Sequence, residues 1–189
     1  MVRKFIIDSL LYWISEYHID GFRFDLMGIF DNETMRHIRY EVSKVNPRIL
    51  LFGEGWTAGP SPMPEYRRAV KRNISHLPGI AAFCDDMRDA LKGNHGLKES
   101  KGFVSGLVLR EEAVKFGIAG AVWHPQIVYS YVESSVEPWA MEPSQCINYV
   151  SCHDNYTLYD KLKMSLPDAS EEELRKRVKL AGAILLTSQ

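Results

Sequence analysis

Three short apolar runs in this sequence each end in a carboxylate, and no other feature constrains the fold as strongly. The runs are typical of buried strands, and they are Gly21 to Asp25, Ile49 to Glu54 and Ile147 to Asp154. An ionised carboxylate is costly to bury without a purpose. Three of them at strand ends therefore predict a site where the ends of parallel strands converge, as they do at one face of a barrel.

Helical and strand periods alternate around the first two runs. A helical stripe precedes a strand at Phe22 to Leu26, and a second stripe behind an Asn32 cap stops at Pro47, before the next strand. This alternation predicts an α/β fold whose parallel strands are joined by right-handed helical crossovers, in a doubly wound sheet or a barrel. The two stripes are Ile7, Leu10, Leu11, Ile14 and Tyr17, and Met35, Ile38, Val42 and Val45.

The rest of the chain is less regular. Residues 55–78 are predicted to form a long loop with a short helix, and Ile80 to Cys84 a further strand. The stretch from about 85 to 146 is longer than a crossover needs, which predicts an elaborated insertion on the same face. A late helix is predicted behind a capping box of Ser170 and Glu173. Its buried stripe is Leu174, Val178, Ala181 and Leu185.

The composition excludes several function classes. The 189 residues are 46% hydrophobic with a formal net charge of -1, so the chain can bury a sizeable core and has no charge excess to attract nucleic acid or an anionic membrane. No apolar stretch is long enough to span a bilayer, and Asp8 interrupts an N-terminal stretch that faintly resembles a secretion signal. A cytoplasmic location is favoured for the chain as given, with secretion of a longer parent left open. The cysteines, Cys84, Cys146 and Cys152, lack close ligand spacing and are expected to be reduced core residues.

The first strand brings two opposite charges to one side. Side chains alternate along a strand, so Arg23 and Asp25 share one face. The apolar side chains of Phe22, Phe24 and Leu26 share the other. A guanidinium beside a carboxylate keeps the carboxylate ionised, which suits a nucleophile. A structural ion pair is the alternative for this strand taken alone.

Glu54 follows the next strand and has a glycine on each side. Flanking glycines let a backbone or a ligand approach closely, which indicates a crowded site. Glycoside cleavage with retention uses two carboxyl groups about 5 to 5.5 Å apart, one attacking the sugar and one protonating the departing oxygen. Neighbouring barrel strands can supply that separation. We therefore expect Asp25 to be the nucleophile and Glu54 the general acid and then the base.

His153 and Asp154 form the third element. An imidazole and a carboxylate near the sugar hydroxyls could hold a distorted ring and stabilise an oxocarbenium-like charge. A lone His-Asp pair is more often a turn or a structural hydrogen bond, but two other strand-end carboxylates favour the catalytic interpretation. Trp56, two positions after Glu54, is a candidate for stacking on a sugar face, with core packing as the alternative.

Three ordered segments resemble signature regions of the alpha-amylase family of glycoside hydrolases. They are Asp20 to Gly28, Phe52 to Thr57 and Asn148 to Asn155, similar to the second, third and fourth regions of that family. Within the family the likeness is greatest to the type I pullulanases, which debranch alpha-1,6 linkages. The Leu-Met-Gly after Asp25, the Gly-Trp after Glu54 and the stretch from Asp85 to Gly93 favour this branch.

The resemblance implies roles for individual residues. It makes Asp25 the nucleophile with Arg23 as its arginine, Glu54 the acid and base, and His153 with Asp154 the transition-state pair. It implies a retaining hydrolase of branched alpha-glucans, such as pullulan, amylopectin and glycogen limit dextrins, that requires no cofactor. Calcium occurs in many relatives of the family, but no loop here has a recognisable calcium-binding spacing.

The family fold is a (β/α)8 TIM barrel, and the resemblance covers part of it. The first signature region of the family is absent, so residues 1–189 are expected to form an incomplete catalytic domain with roughly strands 4 to 7 of the barrel and their helices. A partial barrel has open edges, and these would invite self-association.

Three alternatives stay open. The chain alone could be a non-catalytic piece, at best a glycan binder or an unassembled part of a barrel. The family also includes other specificities. Strand-end carboxylates bind Mg²⁺ in barrel enzymes that abstract protons, although Arg23 beside Asp25 would repel a cation there. The expected partner is an alpha-glucan, with nucleic acid and membranes excluded by the composition.

Overall fold

The computed structural model describes residues 1–189, which divide into two units, Met1–Phe83 and Cys84–Gln189. The first unit holds two helices and three parallel strands, and the second holds four helices and one short strand. In chain order the elements are α1 Val2–Tyr17, β1 Gly21–Phe24, α2 Asn32–Val45, β2 Leu50–Gly53, β3 Ala81–Cys84, α3 Asp85–Lys92, α4 Glu111–Ile118, β4 Cys146–Asn148, α5 Leu158–Ser165 and α6 Glu171–Leu186. No helix is both long and apolar enough to cross a membrane.

The sheet of the first unit follows chain order. β1 pairs with β2 in parallel, from Gly21 opposite Leu50 to Phe24 opposite Gly53, and β2 pairs in parallel with β3. Parallel neighbours need a crossover, and α2 supplies it between β1 and β2. The predicted α/β fold with parallel strands is confirmed. The loop predicted at residues 55–78 contains two short 3-10 helices, Glu65–Arg67 and Lys71–His76.

The helical stripes of the first unit are buried to different extents. In α2, Met35, Ile38 and Val42 are fully buried. Val45, the last residue of α2, is exposed. The stripe of α1 buries Leu10 and Ile14, but Tyr17 is 56% exposed and contacts the Trp13 ring on the same helix.

The cap of α2 is Asp31. The sequence-based prediction of Asn32 as the cap is therefore wrong. The Asp31 backbone is extended (φ -80°, ψ 151°), and its carboxylate accepts hydrogen bonds from Thr34 N at 2.7 Å and Thr34 Oγ1 at 2.6 Å. Asn32 is the first helical residue, and its amide donates to Tyr66 O. Burial opposes ionisation of Asp31, but the Thr34 hydrogen bonds and the charge of Arg3 lower its pKa below the ordinary value.

Replacing Asp31 with alanine should lower the free energy of unfolding by about 1 kcal/mol at neutral pH, the usual cost of losing an N-cap. Because the pKa of Asp31 is lower when folded, its contribution is complete above the ordinary value of 3.8 and is lost as the pH falls through the folded-state pKa. Asp31→Asn keeps a cap oxygen without the charge, so it should retain most of the neutral-pH stability. Urea unfolding across a pH series measures this, and an Asp31→Asn profile that follows the wild type into acid would contradict it.

Two of the predicted strands end early. β1 stops at Phe24, because Leu26 adopts the left-handed conformation (φ 44°, ψ 48°). The third apolar run forms a strand at Cys146–Asn148, and residues 149–157 are irregular. Residues 151–157 are exposed and mostly polar, so they offer little apolar surface that pairing would bury. The prediction that Asp154 closes a strand is therefore wrong, and this residue lies in a loop.

The second unit is built mainly from packed helices. α3 packs against α4 and α5, and α5 packs against α6. α4 approaches α3 closely at Gly117, where a Cβ would lie 2.6 Å from Met87 Sδ. Cys84 and Cys146 are buried free thiols, but Cys152 is exposed, so the core position predicted for Cys152 is wrong.

The capping box predicted for α6 is half formed. Ser170 Oγ accepts from Glu173 N at 3.2 Å, as expected of the cap residue. The Glu173 carboxylate binds Arg177 one turn on, at 2.6 and 3.1 Å, instead of returning to the cap. In the predicted stripe Leu174 and Ala181 are buried, and Val178 and Leu185 are partly exposed.

Candidate active site

Glu54 directly follows β2 and is buried, with 8% of its side chain exposed. Its Oε1 accepts a hydrogen bond from Arg23 Nη2 at 2.8 Å, and its Oε2 accepts one from Leu26 N at 2.7 Å. Hydrogen bonds to an ionised carboxylate are short and strong, and they offset the cost of removing the charge from water. Both oxygens of Glu54 are therefore engaged by the protein.

Arg23 forms ion pairs with both Asp25 and Glu54, the two carboxylates predicted to act together. Its Nη2 lies 3.2 Å from Asp25 Oδ1 and 2.8 Å from Glu54 Oε1. Because both oxygens contact one nitrogen, they are at most about 6 Å apart, which is compatible with the spacing of about 5 to 5.5 Å in retaining glycosidases. The guanidinium also lies 5.7 Å from the centre of the Phe83 ring, which limits its movement.

The turn after β1 brings the backbone N–H of Leu26 into contact with the Glu54 carboxylate. Leu26 has a positive φ of 44°, which costs on the order of 1 kcal/mol or more for a residue with a Cβ. This conformation directs the Leu26 amide to the Glu54 carboxylate. Gly28 N then donates to Glu54 O and Trp56 O, both at 3.1 Å. A Cβ at Gly28 would lie 2.5 Å from Trp56 O, so this approach requires glycine.

The two glycines that flank Glu54 face neighbouring backbone. A Cβ at Gly53 would lie 2.6 Å from Phe24 O, and one at Gly55 would lie 2.7 Å from Lys71 N. Lys71 N also donates to Gly55 O at 2.8 Å. The crowding predicted around Glu54 is confirmed, and the approaching groups are peptide units.

Asp25 differs from Glu54 in its exposure. Its side chain is 70% exposed, so the expectation of a buried charge at the end of β1 is wrong for Asp25. The reason is the early end of β1, which leaves Asp25 in the turn beside Leu26. Trp56 is partly buried, and its carbonyl takes part in the Gly28 contact. Stacking of Trp56 on a sugar stays a prediction.

His153 and Asp154 lie together in the second unit. His153 Nε2 is 3.5 Å from Asp154 Oδ1, and the side chains are 63% and 55% exposed. Cys152 Sγ donates to Asp154 O at 3.4 Å. One potential ligand atom from each of Cys152, His153 and Asp154 lies within 4.8 Å of the others. All three residues are exposed, so these atoms face solvent and do not enclose a metal site. The structure thus brings the predicted residues together as two sets, one around Arg23 and Glu54 and one at His153.

Pullulanases resemble this chain in sequence and in structure. The pullulanase of Bacillus subtilis strain 168 is 43% identical over 190 residues, covering all of this chain and 25% of that protein. The crystal structure of a Paenibacillus barengoltzii pullulanase in complex with maltohexaose and alpha-cyclodextrin has a TM-score of 0.88 and 49% identity, covering 99% of this chain and 28% of that one. This chain is homologous to a segment of the pullulanases. Type I pullulanase of B. subtilis strain 168, complexed with maltose, gives a TM-score of 0.90 at 42% identity.

The homology to pullulanases extends over both units, because the aligned region covers the whole chain. The predicted resemblance to these enzymes is therefore confirmed. The chain spans about a quarter of the length of the pullulanases it matches. No family model matches it. Neither partner of Glu54 was predicted from the sequence. Arg23 was assigned to Asp25 alone, and Leu26 gives no local signal for a left-handed turn.

Proposed function

We propose that the complete protein is a retaining glycoside hydrolase of alpha-1,6 branch linkages and that this chain supplies its acidic groups. The Arg23 bridge carries the proposal, because it holds an exposed and a buried carboxylate within about 6 Å of each other, which is compatible with the spacing of a retaining mechanism. Whole-chain homology to pullulanases, among them enzymes crystallised with maltooligosaccharides, supports the substrate class. We also assign residues 1–189 to roughly strands 4 to 7 of a (β/α)8 barrel, with an insertion at about 85–146.

Asp25 is the nucleophile in this mechanism. One carboxylate oxygen of Asp25 bonds to the anomeric carbon as the bond from that carbon to the departing oxygen breaks. The departing oxygen takes a proton from Glu54. A water then attacks the same carbon, releases Asp25 and gives a proton to Glu54. Both Glu54 oxygens are engaged in the structure. Glu54 therefore has to exchange its bond with Arg23 or Leu26 for one with the sugar oxygen when substrate binds.

The remaining predicted residues bind the sugar in this proposal. Asp154 and His153 accept and donate hydrogen bonds at the hydroxyls of the ring as it distorts. Their exposure leaves them accessible to a polysaccharide. Trp56 offers an aromatic face to the apolar side of a pyranose ring. The mechanism uses side chains throughout and requires no cofactor.

The complete protein should release reducing ends from pullulan much faster than from linear amylose, since amylose lacks alpha-1,6 linkages. Retention predicts that the first product carries the alpha anomer, which proton NMR detects before mutarotation. A protein that cleaves amylose as fast as pullulan would have another specificity of the family. A beta anomer as first product would contradict the double displacement.

A further inference from the structure

The loop at residues 149–157 carries His153 and Asp154 but has little of its own to fix its position. Residues 151–157 are all exposed. Exposed segments with few buried apolar contacts are the least stable parts of a fold. Two tyrosines delimit the loop, Tyr149 before the His-Asp pair and Tyr156 after it. Both are contacted by basic side chains of α3.

Arg88 holds the first flank. Its Nη1 donates to Tyr149 Oη at 2.6 Å, and its guanidinium lies 5.5 Å from the centre of the Tyr149 ring. Asp89 fixes the other edge of the guanidinium, accepting from Nε at 2.7 Å and from Nη2 at 3.0 Å. Arg88 has 8% of its side chain exposed. A planar fork held on two edges leaves little freedom to the ring that it supports.

Lys92 holds the second flank. It lies four residues after Arg88, hence one helical turn along the same side of α3. The residue is 1% exposed, and its Nζ donates to Tyr156 O at 2.9 Å. That carbonyl is the one hydrogen-bond acceptor that the structure gives this ammonium. Burial, together with the charge of Arg88, lowers the pKa of Lys92 below its ordinary value.

Stability does not account for a lysine at this position. Removing an ammonium from water costs several kcal/mol after relaxation. One hydrogen bond to a carbonyl returns less free energy than that. An apolar side chain of similar length would fill the same space without that cost. Lys161 shows the contrast, since its buried Nζ donates to Leu97 O, Lys98 O and Ser100 Oγ.

We infer that Lys92 is a positioning residue, which together with Arg88 clamps the 149–157 loop to α3 and sets the placement of His153 and Asp154. The inference rests on the proposed function, because placement matters to the rate if that pair acts on the sugar. A fixed loop keeps the pair in the geometry of the transition state, and errors of about 1 Å in such geometry cost up to about a hundredfold in rate.

Lys92→Met in the complete protein tests this inference. We expect kcat on pullulan to fall by about ten- to a hundredfold, KM to stay within about twofold, and Tm to be unchanged or higher, because a buried charge is removed. Lys161→Met is the matched control, because it removes a second buried lysine, and with it the three hydrogen bonds that its Nζ donates. It should lower Tm and leave kcat per folded molecule unchanged.

Hydrogen exchange measured on the same proteins separates the clamp from the proposed function. Lys92→Met should accelerate exchange of the Leu158 amide, which donates to Ser151 Oγ of the loop at 2.8 Å, and leave α3 protected, whether or not pullulan is the substrate. Either unchanged exchange of the Leu158 amide or unchanged kcat in Lys92→Met would overturn the inference. It would also be overturned by a rise of KM alone, or by a fall of kcat in proportion to the loss of folded protein. If Lys92→Met does not fold, Tyr149→Phe decides, since it removes the hydroxyl that accepts from Arg88 and should give a smaller change in the same direction. A wild type inactive on pullulan would instead reject the proposed function.

Discussion

Replacing Asp25 with alanine in the complete protein should lower kcat on pullulan by at least about a thousandfold, because the proposed nucleophile is removed. The fold should tolerate the change. Asp25 is 70% exposed and pairs with Arg23 at 3.2 Å, and an exposed ion pair contributes about 1 kcal/mol or less. Initial rates over a range of pullulan concentrations, with thermal unfolding of the same samples, measure both effects.

Asp20→Ala is the matched control for Asp25→Ala. Asp20 is an exposed carboxylate that immediately precedes β1, at the opposite end of the strand from Asp25. Its removal should leave kcat close to wild type. If Asp25→Ala kept more than about a tenth of the wild-type kcat, or if both variants lost activity together with their folded structure, the assignment of Asp25 as nucleophile would be wrong.

The pairing of Asp25 with Glu54 could be predicted because it follows from strand geometry. Parallel register places Phe24 opposite Gly53, so the residues that follow each strand are neighbours at the same edge of the sheet. The period of two then puts Arg23 on the side of Asp25, where it reaches both carboxylates. These steps need the strand period and the order of the strands, and the sequence carries both.

The burial of the carboxylates and the end of the third strand depend on contacts distant in sequence. Leu26 adopts a conformation that local preference disfavours, and it is held there by Glu54, 28 residues away. Asn148 ends β4 while its amide donates to Gly117 O at 2.8 Å, 31 residues away. Neither contact leaves a local pattern, so the exposure of Asp25 and the loop position of Asp154 were not predicted.

Replacing Glu54 with glutamine should lower kcat on pullulan by about a hundred- to ten thousandfold, the usual contribution of a general acid. A substrate that needs no proton on its leaving group should escape most of this loss. Fluoride departs as the anion, so the rate of bond cleavage in an alpha-maltotriosyl fluoride should fall far less than the rate on pullulan. Asp25→Ala should lower both rates alike, because the bond to the sugar is missing in each case.

Glu54→Gln should also destabilise the fold, unlike the changes at Asp25. Arg23 and Leu26 each donate to one oxygen of Glu54, and a glutamine amide can accept at only one of these places. Its NH₂ group then faces a donor in a buried position, which costs about 1 to 3 kcal/mol of unfolding free energy. Urea unfolding measures this cost apart from the rates. Equal losses on pullulan and on the fluoride in Glu54→Gln would show that Glu54 orders the site through Arg23 and Leu26 without transferring the proton.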